Sequence, residues 1–421
     1  MTYLTRKKLQ QTDIFLLLCK NIHHIIIRKM KPKFHPGLLS KIVLAIIAGI
    51  AIGYFAPIWL ARTCATFNEI FGQFLNFLIP LIIIGFVAPA IADLGNRAGK
   101  MLVATAALAY IATLFAGFVS FFTGSTIFPS MISAGSADAI EGAEATITPF
   151  FTMPIPAIMP VMTALVFAFM IGLGAAYIKG DSLRKGIDDF RDIVSLSIGK
   201  VVIPLLPVYI FGIFLNMTVE GQVATILTTF VKIIVVIFIL HILLLIFQYC
   251  IAACFNHKNP FKMLWTMMPA YFTALGTQSS AATIPVTLRQ TISMGVSEDV
   301  AGFTVPLCAT IHMSGSTLKI VACSLAIMIM EGIPYDIGLY AHFIAMLGVT
   351  IIAAPGIPGG AIMASLGLLS SILGFSDAQN AMMIALYIAM DSFGTACNVT
   401  GDGALAVIID RTIGKKNKSS V

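Results

Sequence analysis

The chain has 421 residues, 58% of them hydrophobic and only 11% charged, with a formal net charge of +7. Soluble domains carry about 25% charged residues, so this composition belongs to a polytopic protein of the lipid bilayer. It excludes nucleic-acid recognition, which needs a basic face and base-stacking aromatics on a soluble module.

Residues 1–36 read as a basic leader, with Arg6, Lys7, Lys8, Lys20, Arg28, Lys29, Lys31 and Lys33 around two short apolar runs. Neither run approaches the roughly 18 residues a span needs, and no small-residue cleavage site follows. The expectation is a cytoplasmic segment on the membrane surface, and a start at Met30 would leave the first 29 residues out of the native product. None of the seven cysteines (Cys19, Cys64, Cys250, Cys254, Cys308, Cys323, Cys397) forms a CxxC pair, so they are expected to be small core residues.

Eight hydrophobic segments follow, at about 38–60, 71–93, 101–128, 155–178, 193–216, 222–255, 297–330 and 381–409. Each is long enough to cross about 30 Å of hydrocarbon as a helix. Basic connections alternate with loops that hold acids and no Lys or Arg. The basic ones carry Arg97 and Lys100; Lys179, Arg184, Lys185 and Arg191; Lys258 and Lys262; and Arg411 with Lys415, Lys416 and Lys418. The acidic ones carry Asp138, Glu141 and Glu144; Glu220; Glu331 and Asp336; and Asp377. The positive-inside bias then predicts eight crossings with both termini cytoplasmic.

Two further apolar stretches, 265–290 and 341–371, are broken by GTQSSAATIP and AAPGIPGG. Lys262 and Arg289 flank the first, so it must enter and leave on the cytoplasmic side, and the second must do so from outside. Both read as re-entrant hairpins approaching the midplane from opposite faces. Non-helical backbone is tolerated at that depth only when buried in protein or lining a cavity, and paired interruptions point to a transporter binding site.

The stretch 377–413 carries Asp391, Thr395, Asn398 and Asp402 at spacings of four, three and four residues. These place all four on one stripe of a helix. An Asp at the centre of a membrane helix costs roughly 2.5–3.5 kcal/mol, so it marks a functional site by default. The bland alternative is an acid that snorkels or pairs with a basic residue, Arg411 being nearby in sequence. The functional reading is a site for cations or for a ligand bearing an ammonium group.

The motifs SSAATIPVT (279–287), PLCATIHMSGST (306–317), PGIPGGAIM (355–363) and DSFGTACNVTGD (391–402) resemble those of the dicarboxylate/amino acid:cation symporters, the glutamate transporter family. The likeness runs from about residue 38 to 412. It implies an all-α polytopic membrane protein with eight transmembrane helices, two opposed re-entrant hairpins and an elevator mechanism. It also implies a homotrimer in a plasma membrane, the bacterial inner membrane. By the same resemblance 1–36 is the leader, and 37–264 holds mainly scaffold and trimerisation helices, the third and sixth associating with the moving part. The core transport domain is then 265–412, and 413–421 is a basic cytoplasmic tail.

Carried over by position, the resemblance makes Asp391 the partner of a substrate ammonium and Asn398 the amide that holds its carboxylate. Ser280, Thr395 and Ser316 complete that polar end, and the second hairpin closes over the ligand through backbone at Gly356, Ile357 and Pro358. Acidic-substrate members have an Arg three residues after the Asp, a fork suited to a side-chain carboxylate. Here that place is Gly394, and Gln278, a hairpin position often Arg or Ser in the family, supplies no substitute. The resemblance therefore points to a small neutral amino acid such as serine, threonine or alanine. A dicarboxylate ranks second, with Lys319 or a backbone nest as its source of charge.

One family sodium site matches Asn398, Asp402 and the carbonyls of Cys308 and His312. A second, largely carbonyls of Thr310, Ile351, Ile352 and Ala354, survives substitution because backbone does the binding. The third is expected to be lost, since its Asn-Met-Asp reads His312, Met313, Ser314 and its third-helix Tyr, Thr and Ser align with Thr105, Leu108 and Ala109. Two sodium ions or fewer are expected. At His312 two readings stay open: an imidazole titrating at about pH 6.5 that replaces the lost cation with a proton, or a neutral ring satisfied by Ser314 or Thr105.

The sequence-level expectation is a sodium-coupled amino acid symporter. The alternatives are a sodium- or proton-coupled dicarboxylate symporter and an uncoupled channel or substrate sensor. An enzyme is not expected, because Ser279 and Ser280 have no companions resembling a triad or a metal set.

Overall fold

The computed structural model describes residues 38–96, 100–132, 147–178, 180–221, 223–352, 354 and 359–414. The leader, the acids Asp138, Glu141 and Glu144, and the basic tail from 415 lie outside the described residues. The chain divides into two units, Met1–Ser40 and Lys41–Val421, and the hairpins and the polar stripe all lie in the second.

Among the described residues the secondary structure is all helical. The helices are α1 (Leu38–Gly53), α2 (Ile58–Asn96), α3 (Lys100–Met131), α4 (Val161–Tyr177), α5 (Ser182–Ser197), α6 (Ile203–Val219), α7 (Val223–Asn256), α8 (Pro260–Thr266), α9 (Met268–Thr277), α10 (Ser280–Ser293), α11 (Glu298–Ile311), α12 (Ser314–Met330), α13 (Ile337–Ile352), α14 (Gly360–Leu373), α15 (Asp377–Ala389) and α16 (Asp391–Ile409). Five stretches are long and apolar enough to cross a membrane unaided: Ile58–Pro89, Lys100–Met131, Ser182–Val219, Leu227–Asn256 and Glu298–Met330. The pair α15–α16, bent by 62°, makes a sixth. Among the described residues α1, α4, α13 and α14 carry shorter apolar helices, and α9–α10 and α13–α14 are the helix pairs at the two broken stretches.

Several boundaries differ from the hydrophobic segments, and proline accounts for two of them. The first segment does not run to 60, because α1 stops at Gly53 and α2 begins only after Pro57. The fourth does not begin at 155, because Pro154, Pro156 and Pro160 keep that approach non-helical until Val161. The second begins well before 71, since Ile58 to Ile70 continues the same helix. Two cysteines also depart from expectation, Cys250 and Cys254 being exposed on α7 rather than in the core.

The breaks that matter lie inside spans. Asn259 caps α8, the helix that leads into the first hairpin, by accepting from the amides of Phe261 and Lys262, with Pro260 at the first helical position. At its tip Gln278 adopts φ 53°, a left-handed conformation that costs a non-glycine residue roughly 1–2 kcal/mol. Ser279 then caps α10 by accepting from the Ala282 amide. His312 (φ −99°, ψ 102°) is extended and separates α11 from α12, and Met390 separates α15 from α16. Each break leaves helix-end groups without their intrahelical partners.

Packing concentrates on α12 and α16. Every residue of α12 is buried, and in α16 Phe393 alone is exposed. α16 packs against α7, α9, α10, α11 and α12, and α12 also packs along α3. A separate set of contacts joins α2 to α4, α5 and α6. A helix surrounded in this way can be apolar on every side, so the polar residues it carries stand out.

Close approach sets one stability expectation. A Cβ at Gly49 would lie 2.6 Å from the Phe211 carbonyl oxygen, a backbone atom that cannot turn aside, whereas one at Gly186 meets nothing within 4 Å. Gly49→Ala is therefore expected to cost about 1–3 kcal/mol in thermal denaturation of the detergent-solubilised protein. Gly186→Ala, inside α5, is expected to be neutral or stabilising by about 0.5–1 kcal/mol.

Candidate substrate and cation site

Both hairpins reach the first turn of α16. From the first, Gln278 Nε2 donates to Ser392 Oγ at 2.8 Å, which anchors the strained tip residue. From the second, the Gly359 amide donates to Asp391 Oδ2 at 2.8 Å. Two adjacent residues at the bend thus receive the two broken hairpins. Gly356, Ile357 and Pro358 lie outside the described residues.

The other oxygen of Asp391 is also taken. Lys319 Nζ lies 3.0 Å from Oδ1, and both side chains are almost wholly shut from solvent, at 0% and 4% exposure. The ammonium also sits over the Tyr387 ring, 3.4 Å from its centroid, with the carbonyls of Tyr387 and Met390 at 3.4 and 3.5 Å. Gly394 makes room for this. A Cβ there would stand 2.8 Å from Lys319 Nζ, 2.9 Å from Cε and 3.2 Å from Cδ. The absence of a cation inferred at position 394 is thus only half the picture, because a cation reaches that place from α12.

Asn398 joins α16 to α12. Its Oδ1 accepts from the Gly315 amide at 2.8 Å and the Ser316 amide at 3.3 Å, and its Nδ2 donates to Ser316 Oγ at 3.0 Å. Tyr387 adds its hydroxyl to Ser316 Oγ at 3.1 Å. Thr395 is buried one turn before Asn398, and Ser280 is buried as the first residue of α10. The structure therefore brings Asp391, Gly394, Asn398 and Ser316 into one network, with Gln278 joined to it through Ser392.

One turn beyond Asn398 lies Asp402. Its Oδ1 is 2.9 Å from His312 Nδ1, and its Oδ2 is buried with no hydrogen-bond partner. Neither candidate partner proposed for His312 holds it: Thr105 donates to its own helix at Met101, and Ser314 Oγ is engaged by Gln248 Nε2 at 3.2 Å. Gln248, on α7, also approaches His312 Nε2 at 3.5 Å. Arg411 turns to Asp410, at 3.9 Å, and leaves Asp402 alone.

The remaining cation candidates form no closed shell here. Cys308 packs in an apolar cluster with Ala109, Ile311 and Leu405, against which Leu108 and Ile352 also pack. Thr310 is exposed and donates to the Leu307 carbonyl. The Ala354 amide donates to the Ile351 carbonyl at 3.0 Å, so that oxygen already has a partner. α11 and α13 touch, which brings the two helix ends that carry these residues together.

Sequence reasoning missed Gln248 and Tyr387 and weighed Lys319 only as a reserve charge. A signal for Gln248 exists: it lies seven residues after His241, so the two polar side chains in the apolar middle of α7 share one helix face. His241 Nε2 lies 2.9 Å from the Gly315 carbonyl, on the same α12 that carries Ser316 and Lys319.

Against known proteins, residues 38–412 match the profile of the sodium:dicarboxylate symporter family. A serine/threonine transporter of Acinetobacter baylyi is 26% identical over 394 residues, covering 89% of this chain and 97% of that protein. A serine/threonine transporter of Acinetobacter baumannii (strain AYE) is 26% identical over 389 residues, covering 89% and 96%.

The ion pair makes a testable demand on stability. Removing one partner of a buried pair leaves a bare charge and costs about 3–5 kcal/mol, whereas replacing both with neutral groups is far milder. Asp391→Asn is expected to lower the melting midpoint sharply, and Asp391→Asn with Lys319→Met to recover most of it in the same thermal assay. Equal losses in the single and double variants would mean that the two charges are not coupled.

Proposed function

The chain belongs to the sodium:dicarboxylate symporter family, and on that footing we propose that it is a secondary active symporter coupling sodium influx to uptake of a small neutral amino acid, serine- or threonine-like. The observation that carries the substrate choice is Lys319. Its ammonium stands beside Gly394 paired with Asp391, so a ligand with one ammonium and one carboxylate matches both protein charges, while a second carboxylate would find no further cation there. In this reading the ligand is held by Asp391, Thr395, Asn398 and Ser316, with Gln278 and Ser280 from the first hairpin, and the family resemblance adds Gly356 and Ile357. That both relatives are serine/threonine transporters supports this.

Sodium is the co-transported ion in this reading, and Asp402 is its anchor. A buried carboxylate oxygen without a hydrogen-bond partner suits a hard monovalent cation, and Asn398 with the carbonyls of Cys308 and His312 would complete the oxygen set. A second ion uses carbonyls of Thr310, Ile351, Ile352 and Ala354. The apolar packing of Leu108, Ala109 and Cys308 supports the loss of a third site, giving two ions or fewer.

Movement is of the elevator kind. Helices α9–α16 carry the site, with α3 and α7 packed along α12 and α16, while α2, α4, α5 and α6 form the scaffold. A homotrimer in a plasma membrane with both termini cytoplasmic completes the reading, on family resemblance and loop charge. A second reading, a dicarboxylate substrate, is favoured by the positive charge of Lys319 itself.

Transport in proteoliposomes tests this. Inward sodium is expected to drive serine accumulation where inward potassium does not, with aspartate and succinate failing to compete. Asp402→Asn is expected to weaken the sodium dependence at least about tenfold, equivalent to about 1.4 kcal/mol, with folding intact. Accumulation of succinate in preference to serine would replace the proposal with the second reading.

A further inference from the structure

Lys319 makes a fully buried ion pair with the one carboxylate that the substrate reading assigns to a ligand's ammonium. It also lies beside Gly394, immediately before Thr395, where a Cβ would stand 2.8 Å from its Nζ. Among the described residues its side chain has a single anionic neighbour within salt-bridge distance, Asp391; the two carbonyls it approaches stand at the outer limit of hydrogen bonding. An ammonium 3.0 Å from a carboxylate oxygen is the contact an amino acid's own ammonium would make.

We propose that Lys319 is a ligand-site residue, a tethered ammonium that holds Asp391 while the site is empty and yields it to the ammonium of an incoming amino acid. The displaced Lys319 ammonium then takes the ligand's carboxylate, so that both charges of the zwitterion are matched and neither protein charge is left bare. This deepens the amino-acid reading of the site and rests on it.

The exchange explains three features together. Gly394 leaves room for the ammonium where it lies, since a Cβ there would stand 2.8 Å from Lys319 Nζ and 2.9 Å from Cε. The empty site is electrically balanced, so a carrier crossing without substrate exposes no unpaired carboxylate to the membrane interior. Asp391 meanwhile keeps its second oxygen on the Gly359 amide, which lets the swap at Oδ1 be felt at the end of the second hairpin. A ligand without an ammonium cannot perform the exchange, and an amine without a carboxylate gives Lys319 nowhere to go.

The test uses the purified full-length protein in detergent and follows thermal stability, which binding raises by mass action. In Lys319→Ala, n-propylammonium is expected to raise the melting midpoint by at least about 2 °C. Propanol is expected to have no effect, adding Asp391→Asn is expected to abolish the response, and wild-type protein is expected not to respond. No response in folded Lys319→Ala, or a response that survives Asp391→Asn, overturns the proposal.

A second arm needs no variant. Wild-type protein in sodium is expected to bind L-serine at least about tenfold more tightly than 3-hydroxypropanoate, its analogue without the amine. Equal binding means that the ammonium exchange does not occur. If wild type binds neither, the serine reading fails while the propylammonium arm still decides the role of Lys319. If Lys319→Ala does not fold, Lys319→Met keeps most of the stem, and inorganic ammonium replaces n-propylammonium with the same two outcomes.

Discussion

The structure depends on one buried contact, Lys319 with Asp391, placed where the two broken hairpins meet the bend at Met390. A pair of charges out of water is stable only when the geometry is good and the leftover lone pairs are used. Here one carboxylate oxygen takes the ammonium and the other takes the Gly359 amide, while the Tyr387 ring covers the ammonium. Three helices and a hairpin end are committed to keeping one carboxylate satisfied. That commitment explains why α12 and α16 must be buried on all sides, and why α3 and α7 wrap them.

The same logic runs about two and three turns further along α16. Asn398 ties α16 to the start of α12, and Asp402 ties it to the extended residue that separates α11 from α12. In the proposed reading the substrate residues Asp391, Thr395 and Asn398 and the cation residues Asn398 and Asp402 follow one another on a single helical stripe and share partners on a single broken span. Such an arrangement couples two ligands without a long pathway, since a change at Asn398 is felt by both. What the ion pair adds is a way for the substrate end to be neutral before any ligand arrives.

Much of this is legible in the sequence. Asp391, Thr395, Asn398 and Asp402 announce a polar stripe because helical spacing is a local property. The hairpins announce themselves by GTQSSAATIP and AAPGIPGG, since residues that cannot continue a helix are visible one by one. The pairing of Lys319 with Asp391 is not legible, because it depends on which faces of α12 and α16 meet, and 72 residues separate the two. Gly394 reads in the sequence as a missing cation, whereas in the fold it is the gap through which a cation from another helix enters. The surroundings of His312 escape for a similar reason: Gln248 lies on α7, far away in sequence, while the nearer Ser314 and Thr105 have other bonds to make. Helix starts at Ile58 and Val161 escape a hydrophobicity reading because proline geometry and helix continuity, not apolar content, set them.

Coupled transport requires that sodium and substrate each strengthen the other's binding by the same factor, since linkage between binding equilibria is reciprocal. The decisive measurement is a calorimetric titration of sodium in the presence and absence of saturating L-serine, paired with titration of L-serine at low and high sodium. The account predicts that the two affinity ratios are equal and well above one, and that both vanish in Asp402→Asn. Sodium affinity indifferent to serine would contradict it, and would leave the shared stripe of α16 as packing rather than coupling.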